Sequence, residues 1–351
     1  MKKILLFLAT IGVMTGVLYL GSRTPIEKPV EPIPQKQLVQ PAPPKVITFD
    51  EAKNSITEDT CSNLVRTLCD SKYEGRMSAQ KGNEDAAQWI ADQFKSYGLK
   101  PGADNGTYFQ TFPIQNFNDS KAKGNGKTAN IIGVLPGGER TFMIGAHMDH
   151  LGYGPKASQT PNRREIHPGA DDNASGTAAM MELARAFGMV KGNKHTIIFI
   201  AFSGEEMGLV GADYYVNKVS LGKMDFMINY DMVGRFKQEV MFFGAGSLPQ
   251  FKKAAAEVVK AGAKIRMTDS SGGGSDHASF ARKGIPVTFF HTGQHNDYHT
   301  PGDTPDKINY RGLKDVAQWT FHYCWLLDNE TNFQRVAEFT PEGSWKDHDR
   351  D

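Results

Sequence analysis

The chain has 351 residues, 39% of them hydrophobic, and 40 basic residues against 39 acidic ones for a formal net charge of +1. That length and apolar content suffice for one large core, and a balanced charge without long basic or acidic runs points away from a nucleic-acid partner. Three cysteines without a CxxC pair exclude a thiolate zinc site or a dithiol redox centre.

In chain order, Lys2 and Lys3 precede an uncharged apolar run from Ile4 to Leu20, followed by Gly21-Ser22-Arg23. Charge followed by apolar residues is the pattern of an export signal. The run is also at the lower limit for spanning a bilayer, about 17–25 residues. Residues 1–23 therefore read as a signal peptide or as an N-terminal membrane anchor, and the protein as periplasmic or extracellular, with tethering to the inner membrane as the variant. Residues 24–46 carry seven prolines and read as an extended linker.

From Ile47 to about residue 330 the pattern is globular, and residues 331–351 form a polar C-terminal tail. Cys61 and Cys69 sit eight apart in CSNLVRTLC. On one helix that is about 12 Å along the axis, beyond the roughly 7 Å Cα separation a disulfide tolerates. Asn83 to Tyr97 places Ala86, Trp89, Ile90 and Phe94 on one helical face, and Gly98 ends the run. Ala129–Leu135, Thr141–Ala146 and Thr196–Phe202 are apolar strands of the kind buried on both faces, and Ser175–Val190 is a helix. Phe226–Tyr230 and Ile285–Phe290 read as strands, Leu248–Ala261 and Arg311–Leu327 as helices. This alternation predicts an α/β fold, a sandwich with a mostly parallel central β-sheet flanked by helices.

Five metal-ligand side chains fall at strand ends or helix starts: His147 in GAHMDH, Asp171 in GADDNASG, Glu206 in FSGEE, Asp231 in NYDM and His299 in DYHTPGDT. Open α/β sheets bind ligands beyond the carboxyl ends of their strands, so the five are expected to converge on one edge. Two imidazoles and three carboxylates suit zinc or a similar divalent ion. Five donors, one of them bridging, suit two ions about 3.5–4 Å apart, as used in hydrolytic displacement. Glu205 and Glu206 are adjacent, so a turn must send one to the metal and leave the other facing the water.

These motifs resemble the two-zinc aminopeptidase family that includes secreted bacterial leucyl aminopeptidases, within a superfamily that also holds glutamate carboxypeptidases, glutaminyl cyclases and the transferrin receptor ectodomain. HxDH, GADDNASG, FSGEE, NYDM, SDHASF and YHTPGDT occur in family order, and the likeness runs from about Leu68 through Glu74-Gly75-Arg76 to about Leu327. The resemblance implies a three-layer zinc peptidase that takes a peptide substrate and binds two zinc ions per chain. His147 and Asp231 then hold one ion, Glu206 and His299 the other, and Asp171 bridges. It also implies Glu205 as general base, Tyr298 as oxyanion donor, Asp149 as the carboxylate that fixes His147, and a cis peptide bond between Asp171 and Asp172. Asp303 is a candidate to orient His299 or to make a turn. Asp276 and His277 are read as scaffolding, and His150, His291 and His295 as neighbours of the ligands that the family register passes over.

Three alternatives stand beside the aminopeptidase. A glutamate carboxypeptidase would need basic groups for a terminal carboxylate, for which Arg163, Arg164, Arg235 and Arg282 are available, but the large insertion of that branch is absent. A glutaminyl cyclase uses one zinc and has no need of all five ligands. A receptor-like binding domain would have lost ligands. The polar loop Gly152–Gly169 lies between two ligands and is expected at the rim of the site.

Overall fold

The computed structural model describes residues 47–115, 125–154, 157–161, 164–190, 192–330 and 332–333. The leader at 1–23, the linker at 24–46 and, apart from residues 332 and 333, the tail at 331–351 lie outside the described residues.

The helices of the described chain are α1 (Phe49–Asn54), α2 (Glu58–Leu68), α3 (Lys81–Ser96), α4 (Gly176–Val190), α5 (Val210–Lys218), α6 (Pro249–Lys260), α7 (His277–Arg282) and α8 (Tyr310–Asp328). The strands are β1 (Lys100–Pro101), β2 (Phe109–Gln115), β3 (Asn125–Leu135), β4 (Thr141–His147), β5 (Thr196–Phe202), β6 (Met224–Tyr230), β7 (Val240–Phe243), β8 (Ile265–Met267) and β9 (Val287–His291). Local chemistry starts the first helices: Thr48 caps α1 reciprocally with Glu51, and Thr57 caps α2 reciprocally with Thr60.

The strands form one sheet in the order β1-β3-β5-β4-β6-β9-β7-β8, with β2 paired to β3. The sheet is mixed. Its centre, β5-β4-β6-β9, is parallel, whereas β3 joins β5 and β7 joins β9 antiparallel. The expectation of a mostly parallel sheet holds for the centre, where every strand is a continuous apolar run. It does not hold where β3 meets β5 and β7 meets β9, and the strands β2 and β7, which are mixed in polarity or short, were not foreseen.

Period-2 alternation sends the central strands' side chains to two separate cores. Phe142, Ile144 and Ala146 of β4, Ile197, Phe199 and Ala201 of β5, and Phe226, Ile228 and Tyr230 of β6 pack with α2, α3, α4, α6 and α8. Met143, Ile200, Phe202 and Met227 point the other way, against Ala212, Tyr215 and Val216 of α5 and Phe280 and Ala281 of α7. This is the three-layer sandwich. All seven residues of β6 are buried, as a strand covered on both faces must be. Cys61 and Cys324 lie in the larger core, and all three cysteines are free. Among the described residues no helix is long and apolar enough to cross a membrane.

Candidate active site

The parallel centre aligns four carboxyl ends on one edge. His147 is the last residue of β4, Glu205 and Glu206 follow β5, Asp231 follows β6 directly, and His299 lies on the loop beyond β9. A kinked turn, Ala170–Ser175, carries the two aspartates into α4. Glu205 and Glu206 occupy a single turn, Glu205–Met207, entered through Gly204 at φ +82°. That left-handed entry suits glycine and reverses the chain at the end of β5.

Two donor sets result, and they share one carboxylate. Asp172 Oδ1 lies 3.4 Å from His147 Nε2, and Asp231 Oδ1 lies 3.5 Å from the same nitrogen. Asp172 Oδ2 lies 3.1 Å from His299 Nε2, and Glu206 Oε2 also lies 3.1 Å from it. Zinc bonds of about 2.0–2.2 Å in tetrahedral array put neighbouring donor atoms about 3.3–3.6 Å apart; the His147 set matches that spacing, and the His299 set, at 3.1 Å, lies slightly inside it. His147 Nε2 is buried and has no hydrogen-bond partner, the condition of a ligand nitrogen.

The sequence register of the aspartates is off by one. The shared carboxylate is Asp172. Asp171 turns away: its Oδ1 accepts from the amide of Gly234 at 2.6 Å and from Ser175 Oγ at 3.0 Å, and its Oδ2 faces His295 Nε2 at 3.1 Å. The cis peptide bond likewise lies between Asp172 and Asn173, not between Asp171 and Asp172. In a kinked turn, adjacent side chains point to opposite sides, and the sequence does not say which of two aspartates faces inward.

The supporting groups also differ from expectation in detail. His147 Nδ1 faces the backbone carbonyl of Asp149 at 3.1 Å, with the nearer carboxylate oxygen at 3.9 Å. The Asp149 carboxylate instead accepts from the amide of Glu205 at 3.2 Å. Asp303 does not touch His299; its Oδ2 accepts from the amides of Asp171 and Asp172 at 2.9 and 3.0 Å, and Arg235 holds its other oxygen at 3.2 Å. His299 donates from Nδ1 to the carbonyl of Ala157 at 3.0 Å, and its own carbonyl accepts from the amide of Gln159 at 2.9 Å. These contacts with Ala157 and Gln159 thus set the tautomer that turns Nε2 inward. Tyr298 stacks on the His299 ring, with centroids 3.8 Å apart.

Arg76, from the EGR triplet, was not assigned a role by sequence reasoning. It is wholly buried and its guanidinium donates to the carbonyls of Leu68, Met148, Pro168 and Gly169 at 2.7–2.9 Å. It therefore ties the strand end that bears His147 to the turn that bears Asp172. Arg76→Met should leave these carbonyls without donors and cost roughly 3 kcal/mol or more of stability, measured by urea unfolding. An unchanged midpoint would show that the four bonds are dispensable.

Charge is concentrated here. Burial pulls the His147 imidazole down, but Glu205, Asp231 and Asp172 outweigh it and hold the ring well above its ordinary range. Burial likewise opposes protonation of His299, and Glu206 and Asp172 push it up to about 11. Burial raises both glutamates; crowding by Asp231, Glu206 and Asp276 adds to that for Glu205, whereas His299 and His150 draw Glu206 well below the carboxylate range. Such a crowd of buried carboxylates calls for compensating positive charge, which divalent cations supply while leaving both imidazoles neutral as ligands. Asp276 is buried with no partner at either oxygen, and burial takes its neighbour His277 down to about 4. His277 stacks on Phe289 at 4.3 Å.

The fold is a three-layer α/β sandwich that carries two nitrogen and oxygen donor sets at its strand ends. The chain belongs to peptidase family M28, whose sequence pattern matches residues 130–324, more than half of the chain. A probable leucine aminopeptidase of Arthroderma otae is 27% identical over 275 residues, covering 73% of this chain and 69% of that protein. Aminopeptidase YwaD of Bacillus subtilis is 34% identical over 163 residues, covering 43% of this chain and 36% of YwaD. Solved structures share the fold. The LapA aminopeptidase of Legionella pneumophila superposes with a TM-score of 0.63 at 22% identity, covering 87% of this chain and 81% of LapA. The glutaminyl cyclase of Porphyromonas gingivalis gives 0.65 at 21% identity, covering 76% and 97%.

Proposed function

We propose that the protein is a zinc-dependent aminopeptidase that removes N-terminal residues from peptides with two metal ions per chain. The observation that carries this reading is the Asp172 carboxylate, which divides its two oxygens between the His147–Asp231 pair and the His299–Glu206 pair. Zinc in these sets would acidify the attacking water and polarise the scissile carbonyl. Glu205 takes the proton as water adds to the carbonyl carbon, then returns it to the departing amine as the carbon–nitrogen bond breaks. The Tyr298 phenol, whose ionisation is pushed up by burial and by the carboxylates of Asp172, Glu206, Glu205 and Asp231, stays protonated and donates to the oxyanion. Aminopeptidases among the relatives support the exopeptidase direction.

The test is a peptide mixture with free and blocked ends, incubated with the zinc-loaded protein and with chelator, and read by mass spectrometry. Stepwise loss from free N-termini only, abolished by chelation, is expected. Loss from C-termini would move the protein to the carboxypeptidase branch, and ammonia loss from N-terminal glutamine would make it a cyclase. No product with both subsites filled would overturn the peptidase mechanism for these substrates and favour a binding role. Export is a further part of the proposal, resting on Lys2, Lys3 and the run Ile4–Leu20; N-terminal sequencing of protein from cell fractions tests it.

A further inference from the structure

His150 ends the GAHMDH motif, three residues after His147, and its side chain is wholly buried. Nδ1 lies 2.7 Å from Glu206 Oε1 and 3.8 Å from Asp172 Oδ2, and Nε2 has no hydrogen-bond partner. The ring is caged. It meets the His299 ring edge-on at 5.7 Å, and a Cβ on Gly169, at φ +56°, would stand 2.5 Å from its Cγ and Cδ2. The same Cβ would stand 2.2 Å from the Asp172 carbonyl oxygen, so position 169 is closed by backbone as well as by the ring.

Ligand-type atoms of His150, Asp172 and Glu206 all fall within 4.8 Å of one another, so two roles are open to this histidine: ligand, or donor to a ligand. Distance decides between them. A separation of 2.7 Å is that of a hydrogen bond, and it is shorter than the roughly 3.3–3.6 Å between two donors on one zinc. His299, at 3.1 Å from both carboxylates, is nearer the coordination spacing.

We propose that His150 is a positioning residue for the second metal subsite. Its Nδ1–H donates to Glu206 Oε1, which stops the carboxylate rotating and keeps Oε2 turned towards His299 and Asp172. The role rests on the two-metal reading above. Partners of this kind typically contribute about 10–100-fold to metal affinity, and the effect is expected on one ion only, because the His147–Asp231 pair makes no contact with the ring.

The experiment titrates metal-free wild type, His150→Ala, His150→Phe and His150→Asn with zinc against a chromophoric chelator. Wild type should show two steps. The Ala and Phe variants should keep the tighter or looser step that belongs to the His147 set and weaken the other by about 10–100-fold. Asn, whose side-chain amide can donate from a similar position, should recover most of the loss. Excess zinc should restore kcat in the Ala variant, which a general loss of folding would not allow. Four identical titrations would overturn the proposal, as would equal weakening of both steps accompanied by a lowered Tm. A single step in wild type would instead remove the two-metal reading and this role with it.

Discussion

Asp172→Asn is expected to empty both proposed metal subsites together, whereas Asp171→Asn should leave both filled. An amide at 172 offers one oxygen where the carboxylate offers two, and those oxygens face His147 and His299 separately, at 3.4 and 3.1 Å. The loss at each subsite should exceed the roughly 10–100-fold seen when a mere supporting partner is removed, so dialysed protein should hold less than one zinc and have negligible kcat/KM. Asp171 faces Gly234, Ser175 and His295. There an asparagine keeps an acceptor for the Gly234 amide, and the cost should be about 1 kcal/mol of stability with zinc content unchanged. Elemental analysis of the two variants, beside their unfolding curves, separates the roles. A protein that loses zinc on substitution at 171 and keeps it at 172 would restore the register expected from the sequence.

Glu205→Gln should lower kcat by about 10²–10⁴-fold while both zinc ions stay bound and KM changes little. The Glu205 carboxyl feels His147, Asp231, Glu206 and Asp276, but neither donor set needs its oxygens. Glutamine preserves shape and the backbone bond to Asp149, and removes only the proton acceptor. Glu206→Gln is the matched control: it should lose the ion held with His299, and its activity should return partly with added zinc. Equal zinc loss in both variants would mean that the adjacent glutamates do not divide base and ligand between them.

The strongly periodic parts of the fold were legible in the sequence. Thr196–Phe202 was bounded to the residue, and α4, α6 and α8 to within one residue at each end, because the apolar periodicity is strong and, for α6 and α8, Pro249 and the Asn309 cap mark the start. The antiparallel flanks were not, since β2 carries Pro113 and alternates weakly, and β7 has four residues; pairing of such strands is decided by neighbours in space. At the site, the strand-end positions of His147, Glu206, Asp231 and His299 followed from the rule for parallel sheets. The choice between Asp171 and Asp172 did not, because backbone kinks are invisible in a string of letters. Arg76 was given no role and His150 was set aside as a neighbour of the ligands, because the contacts that matter, four backbone carbonyls for Arg76 and Glu206 Oε1 for His150, are made across the fold and leave no trace in local spacing.

The strap from Ala157 to Gln159 carries a consequence for redesign. Loops that border a substrate cleft are the usual place to exchange segments when a new preference is sought, because they tolerate change. Here two main-chain atoms of the loop grip His299 from both sides, through Nδ1 and through its carbonyl. A grafted segment that reshapes the entrance but shifts those three residues would trade ion retention for selectivity. Libraries built on this scaffold should hold 157–159 fixed and vary the residues that precede and follow them.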